Sequence, residues 1–169
     1  MRRRTVLAGG LATVFSAPWA AAWAQTQPVE VTLGPVTRQP LPRYVSLRKR
    51  ANVRRGPGGQ HRIDWVFLHP GTPLRVVAEF DVWRKVVDAD GAGGWVNKFF
   101  LLSRRTVIVR AARTGLFDAP DARGVLVAEL EEGVIATLTA CEGAWCAVDA
   151  QGHTGWLQRE AVWGVDPEG

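Results

Sequence analysis

Two stretches decide the fold: Asp88-Ala89-Asp90-Gly91-Ala92-Gly93-Gly94-Trp95-Val96 and, 61 positions later, Asp149-Ala150-Gln151-Gly152-His153-Thr154-Gly155-Trp156-Leu157. Each carries Asp-Ala, a glycine-bearing turn and Gly-Trp followed by an aliphatic residue, and in both copies a Val precedes the Asp, at Val87 and Val148. Working outward, Trp83 answers Trp145, Gly71 answers Gly133, and Gly56-Pro57 answers Ala119-Pro120. The offset between copies drifts from 63 to 61. The small length changes fall where turns absorb them. An ordered set of matches this long marks a duplication, and a repeat is settled before any motif is read.

Within each copy the periodicity is two. Ile63, Trp65 and Phe67 share one face; Leu74, Val76, Ala78 and Phe80 alternate with Arg75, Val77 and Glu79. In the second copy Ile135, Thr137 and Thr139 alternate with Ala136, Leu138 and Ala140. Short runs rich in Val, Ile, Trp and Phe, broken by Gly and Asp, predict antiparallel β units joined by hairpins. No segment carries a capped helical stripe. The expectation is an all-β protein of two lobes, residues 43–104 and 105–169, each of roughly 60 residues, near the lower limit for burying a core. The repeated indoles, Trp83 with Trp145 and Trp95 with Trp156, are expected to plug the two cores. The short connection 102–106 predicts close lobe packing.

The chain has 169 residues, 47% hydrophobic and 22% charged, which excludes a disordered chain. Residues 1–24 read as an export signal: Arg2-Arg3-Arg4 lead a mostly apolar stretch that ends at Ala22-Trp23-Ala24. Arg3-Arg4-Thr5-Val6-Leu7 resembles the twin-arginine signal. The stretch is short and interrupted by Gly9, Gly10, Ser16 and Pro18, so no stable membrane anchor is expected after cleavage. The expected compartment is the periplasm or the medium. Residues 25–42, with Pro28, Pro35, Pro40 and Pro42, predict an extended solvated linker, although Val29, Val31 and Leu33 alternate as a short strand would.

The formal charge of +5 falls to +2 without the first 24 residues, because that prefix holds three arginines and no acid. A general nucleic-acid binder needs a larger uncompensated surplus. Charge instead separates the lobes: residues 43–104 carry +7 and residues 106–169 carry −6. Arg48, Lys49, Arg50, Arg54 and Arg55, with Tyr44, are candidates for a basic face toward an anionic partner, and a solvated face explains them as well.

Cys141 and Cys146, the two cysteines of the chain, flank Glu142-Gly143-Ala144-Trp145. Strands running into and out of this turn would bring them face to face, and in an exported protein a disulfide is expected. Neither Ser46 nor Ser103 lies in a nucleophile elbow, and His61, His69 and His153 show no metal-ligating spacing. Glu131-Glu132, beside Gly133, read as surface charge. The residues give no catalytic, metal or cofactor site. Trp65 has Val127 as its counterpart in the second copy. A side chain the fold does not demand twice is the better candidate for ligand contact.

Asn52-Val53-Arg54-x-Gly56-Pro57, Gly71, Trp83 and Gly94-Trp95-Val96 together resemble the bacterial SH3-like family in the tandem form of exported proteins. The second copy departs at its start, Leu116-Phe117-Asp118-Ala119-Pro120, and matches better from Cys141 onward. The resemblance implies two small, partly open five-stranded barrels acting as binding or targeting modules, often attached to cell-wall enzymes. It implies a non-catalytic module of the cell envelope whose partner is cell-wall peptide or an envelope protein. The candidate ligand contacts are Tyr44, Arg48, Arg54, Trp65, Trp95 and Trp156. The alternatives are a structural adaptor without cell-wall affinity and an accessory to a cell-wall hydrolase.

Overall fold

The computed structural model describes residues 32–166. Residues 1–24, read from the sequence as an export signal, lie outside the described residues. A two-stranded lead, β1 (Thr32–Leu33) and β2 (Pro40–Leu41), precedes β3 (Arg43–Leu47), β4 (Ala51–Arg54), β5 (Ile63–Phe67), β6 (Pro73–Phe80), β7 (Trp83–Val87), β8 (Gly93–Asn97) and β9 (Leu101–Leu102). Then follow β10 (Thr106–Val109), β11 (Arg113–Phe117), β12 (Leu126–Glu131), β13 (Ile135–Glu142), β14 (Trp145–Ala150), β15 (His153–Gln158) and β16 (Val162–Trp163). The helical elements among the described residues are two single 3-10 turns, Lys98–Phe100 and Arg159–Ala161.

The duplication is visible in the strand order. One sheet runs β5-β4-β8-β7-β6-β3-β9 and the other β12-β11-β15-β14-β13-β10-β16, so each element has its counterpart seven strands later. Both are curled, partly open barrels, and each closes on its own hydrophobic cluster. In lobe 1 Leu47, Val53, Leu74, Val76, Val86 and Val96 are buried; in lobe 2 Val107, Val109, Leu116, Cys146, Val148 and Leu157 are.

Apart from Phe67 and Cys146 the two core clusters are aliphatic, which corrects the expected indole plugs. Trp83, Trp95, Trp145 and Trp156 are all half-buried. Each precedes a buried residue (Arg84, Val96, Cys146, Leu157) in its strand, and successive side chains of a strand point to opposite faces. The indoles therefore lie on the outer side of the sheet. The Gly-Trp signature has a second cause. A Cβ on Gly94 would stand 2.7 Å from the Arg54 carbonyl oxygen, and one on Gly155 would stand 2.6 Å from that of Phe117. The glycines let neighbouring strands approach at the point where Arg54 pairs with Trp95 and Phe117 with Trp156.

A second correction concerns β6. The alternation that should place Phe80 inside is broken by a bulge: Val76 pairs with Val86 and Ala78 with Lys85, leaving Val77 unpaired. One extra residue reverses the facing of everything beyond it. Phe80 is 58% exposed, and Glu79 is buried. Lobe 2 carries the same bulge, between Leu138 and Ala140.

Just past this shared bulge the two lobes carry different cross-strand staples at one position. Cys141 pairs with Cys146 and forms the expected disulfide. The equivalent pair in lobe 1 is Glu79 and Arg84, where the Glu79 carboxylate lies 3.4 Å from Arg84 Nε and 2.5 Å from Arg43 Nη2. That carboxylate also accepts hydrogen bonds from the Val36 and Thr37 amides and the Thr37 hydroxyl. Burial by itself raises the pKa of Glu79, but the Thr37 and Arg43 bonds more than offset this and hold it at about 2. The same bonds dock the lead. From Thr32 onward it is a tight hairpin seated on lobe 1, where the proline content had suggested a solvated linker.

Candidate functional site

The two lobes meet along β3, the Gly71–Pro73 turn and the edges of β10 and β16. Tyr44 packs edge-on against Trp163, with ring centroids 5.0 Å apart. Thr106 Oγ1 donates to the Gly71 carbonyl at 2.6 Å, and Ser46 Oγ donates to the Arg104 carbonyl at 2.8 Å. Arg110 reaches across to Asp90 at 2.9 Å. Burial raises the Tyr44 phenol above its ordinary pKa, against the lowering effect of the neighbouring Arg75.

Beside this junction runs a cleft of about 790 Å³ bordered by both lobes. That volume lies within the roughly 300–1,000 Å³ of ordinary ligand sites. Lobe 1 supplies Trp65 and the residues that follow it, as far as His69, together with the β7–β8 hairpin residues Asp88, Ala89 and Asp90. Lobe 2 supplies Ile108, the turn Glu131–Gly133, and Val134 and Ile135. The walls are aliphatic and aromatic, and carboxylates stand on the rim.

The candidate ligand residues are spread over the molecule. Trp65, 51% exposed, borders the cleft. Tyr44 lines a recess with Arg43 and Arg84, Arg48 lines another with Thr106 and Thr137, and Arg54 lines a third with Arg50 and Trp83. Trp95 and Trp156 lie half-buried on the outer faces of β8 and β15. Arg54 donates to the His61 carbonyl at 2.6 Å, while Arg55 and Arg62 share Asp64. Lys49 stands 5.4 Å above the Phe100 ring.

Sequence reasoning missed the lobe 2 side of the cleft. Glu131 and Glu132 are exposed, as expected of surface charge, yet they border the cleft beside Val134 and Ile135. The available signal was an acidic pair separated from an aliphatic one by a single turn glycine, Glu131-Glu132-Gly133-Val134-Ile135. Among the described residues no group of three or more His, Cys, Asp or Glu is placed to hold a metal ion, and no helix is long and apolar enough to cross a membrane.

Residues 48–101 and 110–164 each match the family described as Bacterial SH3 domain. The chain belongs to that family, in tandem form. The two matched segments of this bacterial SH3 chain fall one in each sheet, from β4 into β9 and from β11 through β16, and leave out the first strand of each, β3 and β10. The family is one of binding domains. No curated protein matches the chain significantly. Among solved structures it is similar to NlpC2 from Trichomonas vaginalis, at 10% identity and a TM-score of 0.35, over 75% of this chain and 51% of that one. NlpC1 from Trichomonas vaginalis is similar at 9% identity and a TM-score of 0.35, over 84% of this chain and 52% of that one. The chain thus spans about half the length of each.

Proposed function

We propose that this tandem bacterial SH3 protein is a non-catalytic binding module of the cell envelope, exported to the periplasm or the medium. In this reading it takes an extended ligand, cell-wall peptide or a segment of an envelope protein, in the cleft between its lobes. The observation that carries the reading is Trp65: a large aromatic half open to solvent, without an aromatic counterpart in the repeat, on the wall of an apolar cleft. Aromatic side chains with one wet edge are the usual anchors of such sites. The basic turn Arg48–Arg50 is exposed and adds long-range attraction for anionic wall polymers that salt would screen.

The test is retention of residues 25–169 on isolated sacculi across a salt series, alongside Trp65→Ala. Retention that weakens with salt and with the substitution supports the reading. No retention at any ionic strength removes cell-wall peptide and leaves the adaptor role, in which the chain co-purifies with a protein and ignores sacculi. Hydrolysis of peptidoglycan by the purified chain would overturn the non-catalytic assignment.

A further inference from the structure

One wall of the cleft is an unpaired strand edge. β5 is bonded to β4 along one side and stands at the end of its sheet. Trp65, Val66, Phe67 and Leu68 are consecutive, and all four border the cleft. Side chains of a strand alternate between faces, so the cleft follows the open edge of β5 and not one of its faces. Exposed edges in soluble proteins are usually blunted by Lys, Pro or a covering loop. This one carries Ile63 at 43% exposure and Trp65 at 51%, and runs into Leu68 at 57%.

The rim has a sign. Asp88, Asp90, Glu131 and Glu132 stand around the opening. Asp90 is ion-paired with Arg110, and Glu131 lies 3.9 Å from Arg113. Asp88 accepts hydrogen bonds from the Asp90 and Ala92 amides and meets no cation there, and Glu132 has no ion pair among the described residues.

We infer that the cleft accepts an extended segment of a partner protein, added as a strand to β5, with alternate aliphatic side chains turned into the cleft and Lys or Arg side chains meeting the rim carboxylates. The inference rests on the binding-module reading and names the chemistry of its ligand. Main-chain bonds along the edge supply affinity with little dependence on sequence, and the side-chain wells supply choice. The four residues along the cleft, Trp65 to Leu68, span about 14 Å at the usual strand rise, enough to pair with a segment of about four residues. Opposite charge at the rim steers a cationic segment and repels an acidic one.

The probe is an end-blocked heptapeptide of alternating Val and Lys, titrated into isotope-labelled residues 25–169 and followed by amide chemical shifts. Saturable shifts are expected at residues 65–68 and 131–135. The Val/Glu counterpart should bind at least tenfold more weakly. Methylating the backbone nitrogens that face β5 should abolish binding. Trp65→Ala, at a half-exposed site, should weaken binding about tenfold while amide shifts away from the cleft stay those of the parent. Equal binding of the acidic or the methylated peptide, shifts confined to other surfaces, or no saturable shift at millimolar peptide would each overturn the inference. Broadening of the same amides with protein concentration alone would also overturn it, by identifying a second copy as the occupant. Sacculus retention without peptide binding defeats the inference and leaves the binding-module reading; peptide binding without sacculus retention does the reverse for cell-wall peptide.

Discussion

Replacing Glu79 by Gln keeps the shape of the side chain and removes one buried negative charge. The carboxylate is fully shielded from solvent, and it serves Arg84, whose side chain is 6% exposed, and Arg43, at 18%. Its pKa falls from the ordinary 4.5 to about 2 on folding. A depressed carboxylate pKa contributes stability that is present in full above the unfolded value and lost as pH falls through the folded one. That difference amounts to about 3 kcal/mol, near the ~3–5 kcal/mol typical of removing one partner from a buried ion pair. Urea unfolding followed by tryptophan fluorescence should therefore place Glu79→Gln about 3 kcal/mol below the parent at pH 7. The two should converge between pH 4.5 and 2, as the parent loses what the variant never had. Because Glu79 holds the Val36 and Thr37 amides, trypsin should also cut faster after the exposed Arg38 in the variant. A stability gap that stays constant from pH 7 to 2.5, or a gap below about 1 kcal/mol, would refute this account of the cluster.

Three further outcomes follow from the same geometry. Gly155→Ala drives a methyl against the Phe117 carbonyl oxygen and should lower the urea midpoint by an amount worth about 1–3 kcal/mol. Gly59→Ala, with open space around the new methyl, should stay within about 0.5 kcal/mol; equal effects would dismiss the close-approach explanation. Reducing Cys141–Cys146 should destabilise by about 2 kcal/mol, the chain-entropy value for so short a loop, and an unmoved midpoint in reductant would contradict it. At the lobe junction Tyr44→Ala loses an aromatic edge contact worth about 0.5–1.5 kcal/mol beyond its buried area, whereas Arg110→Ala loses an exposed ion pair worth about 0–1 kcal/mol. Hydrogen exchange at Gly71 and Thr72 should accelerate more in the first variant, and the opposite order would refute the ranking.

Gly-Trp twice, Asp-Ala twice and period-two alternation are local signals, and they led to two β lobes with hairpins at 88–92 and 151–152, where the sheets turn. Cys141 and Cys146 were legible because a four-residue turn leaves two flanking residues little choice but to face each other. Their lobe 1 counterparts, Glu79 and Arg84, were not. A bulge at Val77 inverts the facing of Glu79 and Phe80, and nothing in an alternating pattern announces an extra residue. The indoles were misplaced for a related reason: a large apolar side chain suggests a core, but the neighbours Val96 and Leu157 already occupied the inward positions.

The amino-acid order alone determined the duplication, the strand content, the turns and the disulfide, because each is set by residues within a few positions of one another. The tertiary structure decided the ion-pair staple, the docking of the lead and the cleft. Glu79 finds Thr37 and Arg43 some forty residues away, and the cleft exists because β5 and the Glu131–Ile135 segment, far apart along the chain, are held side by side by packing between lobes. Such proximity follows from how two sheets curl and dock, which no short window of sequence encodes.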